Sequence, residues 1–334
     1  MAEISLHNVS KSYGDHVALD DVSMTVPDGS FVVLLGPTGA GKTTTLRLIS
    51  GLDKPDTGQI MIDGESAANQ TPAQRNMAMV FQQYSLYPHL SVRQNLAFPL
   101  KSPMLRTPAD EIERKVAEVA EILQISHKLD NKATELSGGE MQRVSIGRAL
   151  VRNPQLYLMD EPLSSLDAKL RSDLRIELKR IQASLGATVL YVTHDQVEAM
   201  TMATHVGVLD HGKLVQFGSP REVYEDPVSI YAASRLGSPK INILPSETFP
   251  GAPNGAASIG LRPEHIRLGE GVEVDVMRVE HLGDQTRLHL NIGGSKLITL
   301  TDAHTNLSKG DTIAISPQDP LYFDADGIRI QTGR

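Results

Sequence analysis

Residues 31–50 read FVVLLGPTGAGKTTTLRLIS, and the fold turns on this stretch. Its first five residues are apolar and rich in Val and Leu, which suits a strand covered on both faces. The loop Gly36-Pro37-Thr38-Gly39-Ala40-Gly41-Lys42-Thr43 follows at once, and the chain from Thr43 and Thr44 to Leu52 has the pattern of a helix. In such a loop the glycines let backbone N–H groups wrap phosphate oxygens, the lysine reaches the outer phosphates, and the threonine offers a hydroxyl to Mg²⁺. The spacing GxxxxGKT also turns up by chance; set between a strand and a helix it points to nucleotide phosphate.

Outward from this loop, ISLHNV and VSMTV precede it as short strands. LYLMD at 156–160 and TVLYVTH at 188–194 are two more apolar strands, each ending in polar residues before a helical pattern. Strands alternating with helices imply a mostly parallel sheet with its chemistry at the carboxyl ends of the strands. TPADEIERKVAEVAEILQI, 107–125, predicts a helix with Thr107 as cap and Pro108 in its first position. Its stripe of Ile112, Val116, Val119 and Leu123 suits core packing. VGVLDHGKLVQFG, 206–218, predicts a hairpin turning at His211-Gly212. After residue 236 the texture changes to Pro/Gly-rich segments and short alternating runs, which suggests a small all-β barrel or sandwich. The chain contains one GxxxxGKT and no internal repeat.

Several other residues have types that suit phosphate chemistry. Asp160-Glu161 closes a strand, where one acid can hold Mg²⁺ and the next can orient or deprotonate water. His194 ends another strand, Gln82 lies in VFQQYSLYP, and Tyr13 in KSYG could stack on adenine or merely pack. LSGGEMQR, 136–143, is a second glycine turn opening a helix, so it too presents free N–H groups, yet it carries a carboxylate. Ser137 and Glu140 fit a capping box, and Arg143 one turn on is the expected partner that neutralises Glu140. The amides of Ser137 and Gly139 are then the expected phosphate donors.

Taken in order, Tyr13, GPTGAGKT, Gln82, LSGGE, LYLMDE, SSLD and His194 resemble an ATP-binding-cassette (ABC) ATPase over about residues 1–235. The resemblance implies an α/β P-loop NTPase with an N-terminal antiparallel β subdomain and a helical subdomain at about 88–153, followed by an OB-like barrel at 236–334. It implies that Tyr13 stacks on adenine, while Gly36 to Thr44 hold the phosphates of ATP. Thr43, Gln82 and Asp160 would serve Mg²⁺. Glu161 would be the catalytic base, and His194 and Gln82 would respond to the γ-phosphate. Ser137, Gly138 and Gly139 would close on the nucleotide of a second ATPase subunit, with Asp167 crossing that interface. A homodimer with two composite sites suits a chain with one P-loop.

QYSLYPHLSVRQNLAFPL, 83–100, resembles the segment with which importer cassettes receive a permease helix, here centred on Tyr84–Leu90. SPKINILP and GLRPEHIRLG resemble the accessory β domain of maltose-type sugar-importer ATPases. The implied assembly has two integral-membrane permease subunits and an extracytoplasmic solute-binding protein, with this subunit peripheral on the cytoplasmic side of the inner membrane. The resemblance implies a sugar or sugar derivative as the solute; related ATPases for polyamine, sulfate, ferric iron or glycerol phosphate share the architecture and are the alternative.

Bulk properties agree. The chain has 334 residues, a formal charge of −8 and no cysteine, which leaves no thiolate site or disulfide framework. No basic, apolar leader opens it, and no apolar run reaches the roughly 18 residues that span a bilayer. A single-strand nucleic-acid groove wants basic charge and stacking rings. Residues 236–334 have nine Lys/Arg against twelve Asp/Glu, with only Phe249, Tyr322 and Phe323 as aromatics, so no nucleic-acid partner is expected.

Overall fold

The computed structural model describes residues 2–102, 105–152 and 154–331. They form two compact units, Met1–Pro220 and Arg221–Arg334. The first begins with β1 (Ile4–Tyr13), β2 (His16–Val26), β3 (Phe31–Leu35), helix α1 (Lys42–Ser50), β4 (Thr57–Ile62), β5 (Glu65–Ser66) and β6 (Met77–Val80). Helices α2 (Val92–Ala97), α3 (Ala109–Ile122) and α4 (Gly138–Leu150) follow, then β7 (Leu156–Asp160), α5 (Ala168–Leu185), β8 (Val189–Thr193), α6 (Gln196–Met202), β9 (His205–Asp210) and β10 (Lys213–Gly218).

Two sheets organise this unit. One is antiparallel in the order β2-β1-β4-β5; the other runs β10-β9-β3-β8-β7-β6. In the second sheet β3 pairs parallel to both β8 and β9, and β7 pairs parallel to β8 and β6. All five residues of each of β3, β7 and β8 are buried, as two covered faces require. Side chains from both sheets and from α1 join one core that includes Ile4, Leu6, Val32, Leu34, Leu46, Leu158 and Leu190. Because β3, β8 and β7 are parallel neighbours, the loops that leave their carboxyl ends meet on one edge. The hairpin β9–β10 turns at His211 and Gly212, both with positive φ (42° and 80°), as the sequence predicts.

The helical segment departs from expectation at one end. Helix α3 starts at Ala109, with Pro108 in the capping position and no side-chain cap, so Thr107 does not cap it. Pro108 has an extended ψ of 150°, which moves the helix start one residue on and leaves Thr107 outside the first turn. The predicted stripe is buried at Ile112, Val116, Val119 and Leu123. Within the expected span 88–153, Pro103, Met104 and Asn153 lie outside the described residues.

The second unit begins within α7 (Pro220–Glu225) and contains α8 (Ile230–Ala233), β11 (Asn242–Pro245), β12 (Ser258–Leu261), β13 (Ile266–His281), β14 (Gln285–Ile292), β15 (Ser295–Asp302), β16 (Thr312–Pro317), β17 (Leu321–Phe323) and β18 (Arg329–Ile330). Two four-stranded antiparallel sheets, β11-β12-β17-β18 and β15-β14-β13-β16, share a core of Leu244, Ile259, Val274, Leu288, Leu297 and Ile315 among others. The compact unit begins before the change of sequence texture at 236, and Arg262 shows why. Its buried guanidinium donates to the carbonyls of Tyr224, Ala233 and Leu236, and it lies 3.8 Å from the Tyr224 ring. Three carbonyls at the ends of two short helices are thereby satisfied by one side chain of the barrel.

Arg75 does the same for α1. Its guanidinium, 5% exposed, donates to Leu48 O (2.7 Å), Ile49 O (2.6 Å) and Ala67 O (3.0 Å), a cation at the negative end of the helix whose other end carries the glycine loop. Arg75→Ala would orphan these buried carbonyls and leave a void. The expected loss is about 2–5 kcal/mol, read as a lower urea midpoint for the first unit by far-UV circular dichroism.

Candidate active site

The glycine loop joins β3 to α1 and is shaped by close approaches. A Cβ on Gly36 would stand 2.6 Å from Leu209 O, and one on Gly41 2.5 Å from Ala18 O. Gly39 and Gly41 have φ of 81° and 101°, values that favour glycine. Ala40 is buried and bonded through its carbonyl to Gly212 N, whereas Pro37, Thr38 and Gly39 lie at or near the surface. Lys42, 6% exposed, donates from Nζ to Gly36 O and Pro37 O, both at 2.9 Å. Burial lowers its pKa, opposed by the nearby carboxylates of Glu161 and Asp160. Thr44 is half-buried on the first turn of α1.

The end of β7 supplies those carboxylates. Asp160 is buried and accepts a hydrogen bond from Thr43 Oγ1 at 3.0 Å; burial raises its pKa, which the Thr43 bond partly counters. Glu161 follows with φ of 45°, in the left-handed region rarely adopted outside glycine. Its amide donates to Val192 O of β8, which fixes the turn. One carboxylate oxygen stands 3.7 Å from Lys42 Nζ and the other 3.1 Å from His194 Nδ1. The His194 ring is 62% exposed, so it faces the open side while Glu161 lies beneath it. Lys42, Thr43, Asp160, Glu161 and His194 therefore form one contiguous cluster at the ends of β3, β7 and β8. Gln82 is exposed two residues past the end of β6, the neighbour of β7.

The remaining residues form separate groups. Tyr13 is 44% exposed and donates to Asp53 Oδ2 at 2.5 Å; Arg47 of α1 holds the same carboxylate at 2.7 and 3.2 Å. The Lys11 ammonium lies 5.5 Å from the Tyr13 ring centre. Asp167 caps α5 by accepting from Leu170 N at 3.0 Å.

Ser137 caps α4 in the expected capping box: Glu140 Oε2 accepts from Ser137 N and Oγ, both at 2.8 Å, and Ser137 Oγ accepts from Glu140 N at 3.4 Å. Two expectations about this turn are corrected. The cation beside Glu140 is Lys128, at 3.1 Å, whereas Arg143 donates to Leu123 O at 2.9 Å. Ser137's amide is taken by Glu140, which leaves the amides of Gly138 and Gly139 as the first-turn donors with no partner inside the helix.

Sequence reasoning also misses what holds these turns. Tyr84 Oη bonds Ser165 Oγ at 3.2 Å, and a Cβ on Gly138 would meet that same hydroxyl at 3.1 Å. A Cβ on Gly139 would stand 2.3 Å from the Leu170 side chain. The buried amide of Asn95 ties Tyr87, Leu90 and Ser91, and Arg148 donates to Ser85 O at 2.6 Å, so the 84–90 loop is built rather than loose. The Tyr87 ring packs 4.4 Å from Phe98, itself nearly half exposed. Tyr84 and Ser165, Arg148 and Ser85, and Gly139 and Leu170 are far apart in the chain, so no local pattern announces these pairs.

The Glu140 carboxyl is lowered to about 2, first by the Ser137 amide. A depressed acid stabilises the fold above its unfolded pKa and loses that contribution as pH falls through its folded value. Glu140→Gln keeps the amide bond but not the charge, and should cost about 1 kcal/mol at neutral pH. That deficit should shrink as pH drops from 4.5 towards 2, measured from urea midpoints of both proteins along the series.

Residues 19–164 match the family model described as ABC transporter, and 259–322 match the TOBE domain. The sn-glycerol-3-phosphate import ATP-binding protein UgpC of Brucella abortus (strain 2308) is 44% identical over 351 residues, covering 99% of each chain. The xylose/arabinose import ATP-binding protein XacJ of Haloferax volcanii is 41% identical over 363 residues, covering 98% of this chain and 94% of that one. Among solved structures, the dimeric bacterial ABC transporter cassette MJ0796 superposes with a TM-score of 0.60 and 32% identity, over 65% of this chain and 99% of that one. With a P-loop cassette in the first unit, a mostly β second unit and relatives that match over nearly the whole chain, the chain belongs to the ABC transporter family, as an import ATP-binding subunit that hydrolyses ATP.

Proposed function

We propose that this ATPase drives uptake of a sugar or sugar derivative by closing as a homodimer on two ATP molecules, with Glu161 as the base that activates water. The observation that carries the reading is the placement of Glu161 between the Lys42 ammonium and the His194 imidazole, at the mouth of the glycine loop. Lys42 now bonds two loop carbonyls, a set of contacts that phosphate oxygens can replace. The hydroxyl of Thr43 and the carboxylate of Asp160 offer oxygen donors of the kind a hard divalent cation takes. With Gln82 they would hold Mg²⁺, which would neutralise charge on the phosphates.

Tyr13 offers a ring face to adenine, its hydroxyl being anchored by Asp53. Ser137, Gly138 and Gly139 close on the partner's nucleotide and Asp167 crosses between subunits; His194 responds to the γ-phosphate. The loop Tyr84–Leu90 receives a helix of each of two permease subunits, which hold the ATPase on the cytoplasmic face of the membrane. An extracytoplasmic binding protein and the permease select the solute. The relatives named for a phosphorylated glycerol and for pentoses support a polyol or sugar class. Among the described residues no helix is long and apolar enough to cross a membrane.

Replacing Glu161 with Gln removes the base and keeps size. Turnover should fall by about 10²–10⁴-fold while ATP still drives dimerisation, seen as a mass shift in size-exclusion chromatography. Turnover within a few-fold of the parent would remove Glu161 from this role. Lys42→Ala should instead weaken ATP binding itself. In the reconstituted transporter, stimulation of ATP hydrolysis by sugars or glycerol phosphate, compared with polyamine, sulfate and ferric iron, identifies the solute.

A further inference from the structure

Arg171 lies outside every motif that marks the family resemblance, yet its side chain joins two of the turns that carry them. It sits on the first turn of α5, where its own amide bonds Asp167 O at 2.9 Å. One guanidinium nitrogen donates to Leu166 O at 2.8 Å, inside the turn Ser164–Asp167. Another donates to Asp195 Oδ2 at 3.5 Å, in the residue that follows His194. Asp195 in turn caps α6, accepting from Val197 N at 2.7 Å and Glu198 N at 3.4 Å, and its own amide donates to Thr193 Oγ1 at 3.0 Å. Behind it Glu198 is buried and bonded to Tyr191 Oη of β8 at 2.9 Å, which seats α6 on the sheet. A shift of the 164–167 turn thus pulls on Arg171, and Arg171 pulls on the backbone that presents His194.

We infer that Arg171 is a positioning residue that couples the Asp167 turn to His194, so that closure of the second subunit on Asp167 sets the histidine for hydrolysis. The inference rests on the proposed roles of Asp167 and His194. Two features favour coupling over simple packing. The bonds run from a single planar fork to two different turns, so movement of one is felt by the other. The acceptor in the second turn is a carboxylate that already fixes the helix start, so displacing it moves the adjacent His194 rather than a free side chain.

Kinetics of the full-length protein test this, using Arg171→Met, which keeps the stem, and Asp195→Asn, which keeps a capping oxygen but loses the charge. Each should lower kcat by roughly ten- to a hundredfold, the cost of a misplaced catalytic group, with the KM for ATP within about twofold. The Hill coefficient for ATP should fall towards one. In a Glu161→Gln background, Arg171→Met should still dimerise on ATP, which loss of structure alone would prevent. Arg171→Lys should restore part of the rate. The double variant should be no slower than either single one, as expected for one shared path.

Parental kcat in Arg171→Met, or losses that multiply in the double variant, would overturn the coupling; so would loss of ATP-driven dimerisation. If Arg171→Met does not fold, Asp195→Asn and Arg171→Lys carry the same test. His194→Ala separates the levels: if it turns over normally the assigned role of His194 fails, whereas an inactive His194→Ala beside a fully active Arg171→Met sinks only the coupling.

Discussion

Lys42 places an ammonium group under a loop that leaves it only 6% exposed, and the site is arranged around that charge. An isolated buried cation costs several kcal/mol, so it persists only where oxygen atoms converge on it. Two of these are the carbonyls of Gly36 and Pro37, which must turn inward. The amide of Ala40 donates to Pro37 O at 3.2 Å, and Gly39 and Gly41 take up the positive φ that the course of the loop requires. The neighbouring carboxylates come from β7, two strands away from β3 in the sheet. Strand order, glycine positions and buried charge are therefore one constraint seen at three scales.

The same burial acts on both signs. It lowers the pKa of Lys42, countered by the carboxylates of Glu161 and Asp160, and raises that of Asp160, countered by the Thr43 hydrogen bond and by Lys42. Groups balanced in this way respond strongly to an arriving charge. A polyanion at the loop would favour the ammonium, and a cation between Thr43 and Asp160 would favour the carboxylate. Arg75 meanwhile holds the far end of α1 through the carbonyls of Leu48 and Ile49.

Expected from sequence, the loop at 36–43, the strands at 156–160 and 188–194 and the hairpin at 206–218 all appear in the structure. Each is specified by residues adjacent in the chain: apolar runs, glycines at fixed spacing, a His-Gly turn. What escaped the sequence is held by residues distant from it. Arg143 looked like the partner of Glu140 because one helical turn separates them, but its guanidinium is drawn to the carbonyl of Leu123, and Lys128 takes the place. Thr107 looked like a cap, yet proline at 108 shifted the helix start. Arg75, Arg171 and Arg262 were anonymous as letters, since an arginine serving backbone carbonyls has no spacing rule. The start of the second unit was displaced for that reason too.

The second glycine turn shows how a carboxylate can sit beside the open amides of a helix start. Glu140 consumes the amide of Ser137 within its own turn and pairs with Lys128 from the segment before it. The two amides that remain belong to glycines, and neither glycine is there for flexibility. A methyl at 138 would press on the Tyr84 hydroxyl, and one at 139 would collide with Leu170. Close packing therefore holds the turn in the shape that leaves those amides open, and the packing partners come from the loop after Gln82 and from the helix that Asp167 caps. The Tyr84 hydroxyl and the Leu170 side chain stand where a Cβ would be, so glycine at 138 and 139 lets that loop and that helix close over the turn. In this way the same two glycines leave first-turn amides without a helical partner and make room for the neighbouring loop and helix.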